Sequence, residues 1–315
     1  MKIPAEIPQP LFLTAVEIEA IRAALEQMLP RRLTISLNLG RSHREVILTD
    51  RNSFLLGETP VALTEVLFRK PEDRTIFIFE QEAWKKWQRF DSATGKFYKM
   101  VFTAPARPPT IEISGVKMHV TKDADPVMDT GNKIATLHKI SGTVLDTCLG
   151  LGYTAIACAE KKQVKRVLVC EADMNVFHLC RQNPWSAALF ANRKIQPVLV
   201  PAQDFISGIP DSYFDVVLHD PPRFAMSPEL YSEKFYRDLF RIMKRGGELY
   251  HYTGNPNQRV RKKSLLIQTR ELLTQVGFRQ VKQAYFEKQF SDGMITRVTR
   301  HFHSFQKKNF LPPHG

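Results

Sequence analysis

The sequence predicts an α/β chain: a doubly wound, mostly parallel seven-stranded sheet with an antiparallel edge hairpin, preceded by a small α+β domain. Three observations lead there. From about residue 140 strand-like and helix-like segments alternate, the rhythm of a parallel sheet with helices on both faces. A last pair of strand-like runs flanks Ser291-Asp292-Gly293, a turn signal for an antiparallel edge. The first 110 residues follow another pattern, one helical run and then short strands.

Taken in order, "TAVEIEAIRAALEQML" has helical spacing, with Thr14 and Glu17 placed as a capping box. "LTISLNL", "EVILTD" and "TIFIF" read as strands. The proline-rich "TAPARPPT", Thr103 to Thr110, reads as a linker. The expected division is therefore an accessory domain over 1–110 and a main domain over 111–315. In the main domain "GTVLDTC", "RVLVCEAD", "IQPVLVPA", "YFDVVLHD" and "GGELYHYTG" are the strands before the closing pair. "GYTAIACAEKK", "MNVFHLCRQN", "PELYSEKFYRDLFRIMK" and "VRKKSLLIQTRELLTQVG" are the helices between them, with a short helical stretch before "YFDVVLHD".

Composition removes several classes of function. An apolar share of 43% and a charged share of 24% are those of a globular chain. No apolar run is long enough to span a bilayer, and "MKIPAEIPQPLFL" lacks the apolar core of a signal peptide, so a cytoplasmic location is expected. The four cysteines, Cys148, Cys158, Cys170 and Cys180, form no CxxC pair; they read as free thiols, and no metal site is expected. The net charge of +13 is uneven: residues 257–315 hold 12 Lys and Arg against 3 acids. Such a section is either a solvated basic face or a footprint for RNA or another polyanion. Tyr252, Tyr285, Phe286, Phe290, Phe302 and Phe305 interleave with these cations; the spacing serves nucleic-acid stacking or a strand core.

Chemistry concentrates at the carboxyl ends of the predicted strands, where ligands bind in such sheets. "VLDTCLGLGYTAI" delivers Asp146 and then Cys148, Gly150 and Gly152 in the turn before a helix. Glycines there admit positive φ and close backbone approach. The pattern lacks the three glycines of a dinucleotide fingerprint and the lysine of a phosphate cradle, so it suits a nucleoside carrying a short amino-acid tail. Glu171 ends the second strand, where an acid meets ribose hydroxyls, and Asp204 follows the third. Each acid also has a plainer use: Asp146 as a turn former, Asp204 as a helix cap, Glu171 as a solvated strand end. At the fourth strand "DVVLHDPPRF" stops a buried run with His219, Asp220, Pro221, Pro222, Arg223 and Phe224. Two prolines end the ladder and fix the loop carrying the carboxylate. His219 reads as a satisfied core histidine.

With these segments in order the chain resembles the class I S-adenosylmethionine-dependent methyltransferases, whose sheet is Rossmann-like. "LDTCLGLG", "VCEAD", "AQDF" and "HDPPRF" are similar to that superfamily's first four motifs, and residues 115–295 carry the likeness. More narrowly, "MHVTKDADPVMDT", "NPWS" and "HYTG" resemble predicted microbial methyltransferases with a DPPR fourth motif. The resemblance implies a cofactor, S-adenosylmethionine, with Gly150 and Gly152 approaching its methionine part, Asp146 near the amino group, and Cys148 in the same turn. It further implies Glu171 at the ribose, Asp204 at the adenine, and Asp129 and Thr130 toward the carboxylate end. "MDTG", which carries the last two, also reads as a plain turn.

The family's amino-methylating members carry D/N-P-P-Y/F as the fourth motif. The resemblance thus implies Asp220 as hydrogen-bond acceptor or general base, Pro221 offering its carbonyl and Pro222 stiffening the loop. Arg223 stands where the aromatic is usual and becomes a substrate clamp or an internal salt bridge; Phe224 becomes a pocket wall. No cysteine adjoins the motif, which disfavours covalent pyrimidine methylation. The implied activity is in-line methyl transfer to a nitrogen or oxygen acceptor, with RNA as one substrate class. A small molecule or a protein, aminopropyl transfer of the spermidine-synthase kind, and a non-catalytic binding module are the alternatives.

Overall fold

The computed structural model describes residues 10–64, 67, 74–121, 124–253, 259–260, 263–284 and 295–299. Contacts divide the chain into two compact units. One comprises Met1–Asn132, Leu149–Ala157 and Asp173–Ile195; the other comprises Lys133–Cys148, Cys158–Ala172 and Gln196–Gly315.

The first unit opens with the short strand Leu11–Leu13 and the helix Ala15–Leu25, and the capping box is present: Thr14 Oγ1 and Glu17 serve each other's orphan groups, with Thr14 N–H donating to Glu17 Oε2 at 2.9 Å. Ile18, Ile21 and Ala24 form its buried stripe. The unit is richer in strands than the sequence indicates. Besides Arg31–Ile35, Arg44–Leu48 and Phe77–Glu80 it contains the hairpin Ser53–Leu56 with Thr59–Ala62, and Ala83–Lys86, Gln88–Asp91 and Lys96–Val101. The proline-rich stretch joins two strands of one sheet, Lys96–Val101 and Thr110–Ile113, which pair antiparallel. The expected boundary after residue 110 therefore falls at the start of a paired strand.

The second unit holds most of a sheet whose strands are β1 (Gly142–Asp146), β2 (Val164–Cys170), β3 (Ile195–Val198), β4 (Phe214–His219), β5 (Met243–Tyr252), β6 (Arg279–Ala284) and β7 (Ile295–Thr299). Their spatial order is β3-β2-β1-β4-β5-β7-β6. The pairs β1–β2, β1–β4 and β4–β5 are parallel; β5–β7 and β6–β7 are antiparallel. The turn residues expected between the last two strands, Ser291 to Gly293, lie outside the described residues, as do Tyr285, Phe286, Phe290, Phe302 and Phe305.

Burial explains why β1 and β4 sit at the centre. Val144, Leu145, Phe214, Val216, Val217 and Leu218 are all essentially inaccessible, the continuous apolar run of a strand covered on both faces. Leu145, Val217 and Leu249 share one face with side chains from the helices Ala202–Ser207, Glu233–Ile242 and Leu265–Val276. Phe235, Tyr236, Leu239 and Ile242 are the inward stripe of the second of these.

Three local expectations change. "PELYSEKFYRDLFRIMK" is two elements, because Ser232 caps a new helix through Phe235 N–H at 3.2 Å after the short turn Pro228–Tyr231. The strand expected to begin at Gly246-Gly247 begins at Met243, so the pair lies inside β5, at a register shift against β4. Gly247 has no room for a Cβ, with the Asp215 carbonyl oxygen 3.0 Å from where it would sit. The run that begins "VRKK" turns helical only at Leu265; Arg259–Val260 and Lys263–Ser264 pair as a small ribbon.

The fold predicts its own weak point. Leu239→Ala, in a site with no exposure, should cost about 2–5 kcal/mol in urea unfolding. A loss under about 1 kcal/mol would mean that the helix Glu233–Ile242 is not packed as described.

Candidate functional site

In the second unit the ends of β1, β2 and β4 bring acids together. Asp146 closes β1 and is fully buried; its Oδ1 accepts from the Cys148 N–H at 3.3 Å, so part of its work is to shape the turn. Glu171 follows β2 directly, partly exposed, its N–H bonded to the Val198 carbonyl at 3.0 Å. Asp146 pairs with Leu218 across β1 and β4, which places Asp220 two residues beyond that register. Asp204 is exposed in the first turn of the helix Ala202–Ser207, past the end of β3, whose N-cap is Pro201.

Cys148 reports the convergence. Burial pushes its thiol well above the usual range; the adjacent Thr147 side chain opposes this, and the carboxylates of Glu171, Asp146 and Asp220 add to the rise. Three of the acids singled out in the sequence thus act on one sulfur. A thiol held protonated is a poor nucleophile.

At Asp220 the structure supplies a residue that the sequence reading missed. Lys133 Nζ donates to Asp220 Oδ2 at 2.6 Å, with the lysine side chain 6% exposed and the aspartate 20%. The Lys133 ammonium also lies 6.0 Å from the centre of the Tyr252 ring. Lys133 belongs to the helix Pro126–Ala135, where the sequence suggested a plain turn at "MDTG". Asp125 starts that helix, its Oδ1 accepting from Val127 N–H at 2.7 Å and Met128 N–H at 3.1 Å. An aspartate followed by proline is the start signal that could have disclosed it. Asp129 and Thr130, on the same helix, are buried; a lysine four residues after Asp129 falls on the same helical stripe.

The loop after Asp220 is fixed from below. Tyr231 Oη donates to the Pro222 carbonyl at 2.9 Å, and Met226 N–H to the Arg223 carbonyl at 2.7 Å. Pro221 is buried. Phe224 packs edge-on to Tyr231, ring centres 5.5 Å apart, and lines the helix-covered core. Arg223 is exposed, and its guanidinium has no acid partner among the described residues.

Behind this loop stand two buried histidines. Burial lowers the pKa of His219 well below its usual value, and that of His251 to about 3. Both are neutral, so each carries one N–H. His219 Nε2 donates to the Leu230 carbonyl at 3.0 Å and Nδ1 accepts from Thr147 Oγ1 at 2.8 Å. His251 Nδ1 donates to the Tyr252 carbonyl at 2.8 Å and Nε2 accepts from Tyr236 Oη at 2.9 Å. His219 is the satisfied core histidine of the sequence reading.

In the first unit the glycine turn has the expected backbone. Gly150 has φ +52° and Gly152 φ +75°. A Cβ at Gly152 would meet Leu189 Cδ1 at 2.8 Å, whereas nothing lies within 4 Å of a Cβ at Gly150. Gly152 is thus a packing glycine, and Gly150 leaves space that a ligand can use.

A parallel sheet with acids at the tips of adjacent strands is an architecture that binds ligands at those tips. The chain belongs to the Methyltransferase small domain family, whose model matches residues 125–283. It is a methyltransferase, and its cofactor is S-adenosylmethionine. An uncharacterized protein of Methanocaldococcus jannaschii is 40% identical over 255 residues, 79% of this chain and 85% of that one. Among solved structures, a spermidine synthase bound to the transition-state analogue AdoDATO aligns at TM-score 0.58 and 16% identity, covering 68% of this chain and 73% of its own. The Thermotoga maritima spermidine synthase aligns at TM-score 0.55 and 16% identity, over 68% and 72%. At that identity the likeness is one of fold. Among the described residues no helix is long and apolar enough to cross a membrane.

The histidines give a pH prediction. A histidine whose folded pKa is depressed leaves the unfolded chain binding more protons below about pH 6.5, so stability falls as pH drops from there toward 3. The melting temperature should fall between pH 6.5 and 4 more steeply in the parent than in His251→Gln. Parallel curves would mean that His251 is not held neutral.

Proposed function

We infer that the chain methylates a nitrogen held at Asp220-Pro221-Pro222-Arg223, and that the nitrogen belongs to an RNA. The observation that carries this reading is the Lys133–Asp220 ion pair. One carboxylate oxygen is committed to the ammonium; Oδ1 has no partner among the described residues. A single fixed acceptor oxygen can take one N–H and leave the nitrogen lone pair aimed elsewhere. A hydroxyl acceptor would have to lose its proton as it attacks, whereas a neutral nitrogen attacks with its own lone pair and gives up its proton afterwards. Nitrogen is therefore favoured over oxygen.

S-adenosylmethionine, when bound, supplies a methyl carbon made electrophilic by its sulfonium. The resemblance is what assigns Glu171 to the ribose hydroxyls, Gly150 to the methionine part, and Asp129, Thr130, Asp146, Cys148 and Asp204 to their roles. Asp220 orients the acceptor and takes its proton once the nitrogen has become cationic. Lys133 is a positioning residue that holds the carboxylate in place. Arg223, exposed and without an acid partner, grips a phosphate or carboxylate of the substrate. Phe224 and Tyr231 wall the pocket. The net charge of +13 supports a polyanionic substrate.

Aminopropyl transfer is the second reading, favoured by the spermidine synthase folds. A polyamine acceptor is polycationic and needs uncommitted acids. Here the central acid is already paired with an ammonium, and the chain itself is strongly basic.

The test is transfer from tritiated S-adenosylmethionine into fractionated RNA, protein and metabolite pools. Label should enter RNA. Asp220→Ala should lower transfer by about a hundredfold or more, with cofactor affinity by calorimetry close to the parent's. Lys133→Met should lower kcat with little change in KM, and Lys133→Arg should restore part of it. Label confined to protein or metabolites would overturn RNA as substrate; unchanged turnover in Asp220→Ala would remove the carboxylate from the chemistry.

A further inference from the structure

A second site lies wholly within the first unit. A cavity of about 490 Å³ opens between the strand region 77–89 and the helix Met174–Gln182, a size typical of ligand pockets. Ile78, Trp87 and Leu179 form a buried apolar floor. Around it stand Lys85, Lys86, Arg89 and Arg181, with His178, against a single acid, Glu80.

The acid is engaged. Gln182 Nε2 donates to Glu80 Oε1 at 2.7 Å, and Gln182 Oε1 accepts from Trp87 Nε1 at 3.1 Å. One glutamine thus ties the acid and the floor to the helix. The acids next along the chain also serve elsewhere: Asp173 with Tyr98 Oη at 2.6 Å, and Asp91 with Thr94 Oγ1 at 2.8 Å and Asn175 Nδ2 at 3.0 Å. Lys86 and Arg89 are exposed and have no acid partner among the described residues. That the cations converge is visible at His178, whose pKa is lowered by burial and by the guanidiniums of Arg89 and Arg181. Like charges facing one cavity repel one another, and an anion in it relieves that repulsion. The walls are already tied by hydrogen bonds, so little ordering is required on binding.

The geometry points to a binding site for the phosphodiester backbone of an RNA, held by Lys86, Arg89 and Arg181 over the Trp87 floor. The site deepens the proposed function by naming where, away from the strand tips, the same RNA is gripped. Only the identity of the ligand rests on that reading. The charge behind the RNA inference from sequence sits in residues 257–315, of which most lie outside the described residues; this cluster draws on other residues.

The experiment is fluorescence anisotropy of end-labelled bulk tRNA with the full chain, across a salt series, for the parent and Lys86→Glu/Arg89→Glu. Both positions are exposed, so the fold should persist, with the thermal shift by S-adenosylhomocysteine unchanged as the check. The variant should bind on the order of tenfold or more weakly, and its salt slope should be smaller by about two, one per lost phosphate contact. Equal binding by parent and variant would overturn the site. So would competition by inorganic phosphate or a mononucleotide as effective as unlabelled tRNA, which would make it a small-anion pocket. Transfer plays no part in this readout. Label found outside RNA would remove the acceptor reading, whereas retained tRNA binding by the variant would remove this site.

Discussion

A buried ammonium cannot stand alone. Lys133 has almost no solvent, and Asp220, at the end of a strand buried on both faces, is its ion-pair partner. Breaking a pair of this kind strands the other charge and costs about 3–5 kcal/mol. Much of the site follows from that constraint. The helix Pro126–Ala135 must present its last turn to the tip of β4. The double proline fixes the chain where the carboxylate emerges. The pair uses one carboxylate oxygen, and the other has no partner among the described residues.

The ground behind the pair is uncharged. His219 and His251, with Thr147 and Tyr236, satisfy each other and nearby carbonyls without a proton to spare. Their neutrality keeps a second cation away from Lys133, and the raised Cys148 thiol keeps a further anion away from Asp146, Glu171 and Asp220. The spermidine synthase structures share the fold at 16% identity. A fold of this kind accommodates several transfers, so the occupant of the central carboxylate's two oxygens is what discriminates among them.

Much of the sheet was legible in the chain. The runs around Val144, Val167 and Val216 are short with apolar, valine-rich centres, and helices intervene; that pattern admits few arrangements. The Thr14 and Glu17 cap was legible because it is a local signal. Strands such as Ser53–Leu56 and Gln88–Asp91 were not: each is only four residues long, Gln88–Asp91 is largely exposed and polar, and each is held by a hairpin partner, Thr59–Ala62 and Lys96–Val101. At the site, Asp146, Glu171 and Asp220 stand at strand ends that the alternating pattern locates. Lys133 could not be located in that way. It lies 87 residues from its partner, and a lysine in a polar stretch looks like any surface lysine. The cavity above Trp87 was hidden for the same reason, since Arg89 and Arg181 meet only in the fold.

The most direct test is a crystal structure of the chain with S-adenosylhomocysteine. The account predicts the ligand across the tips of β1 and β2, its ribose at Glu171, its sulfur facing Asp220 Oδ1, and Lys133 still on Oδ2. A ligand bound elsewhere, or an Asp220 screened from the sulfur by protein, would contradict it.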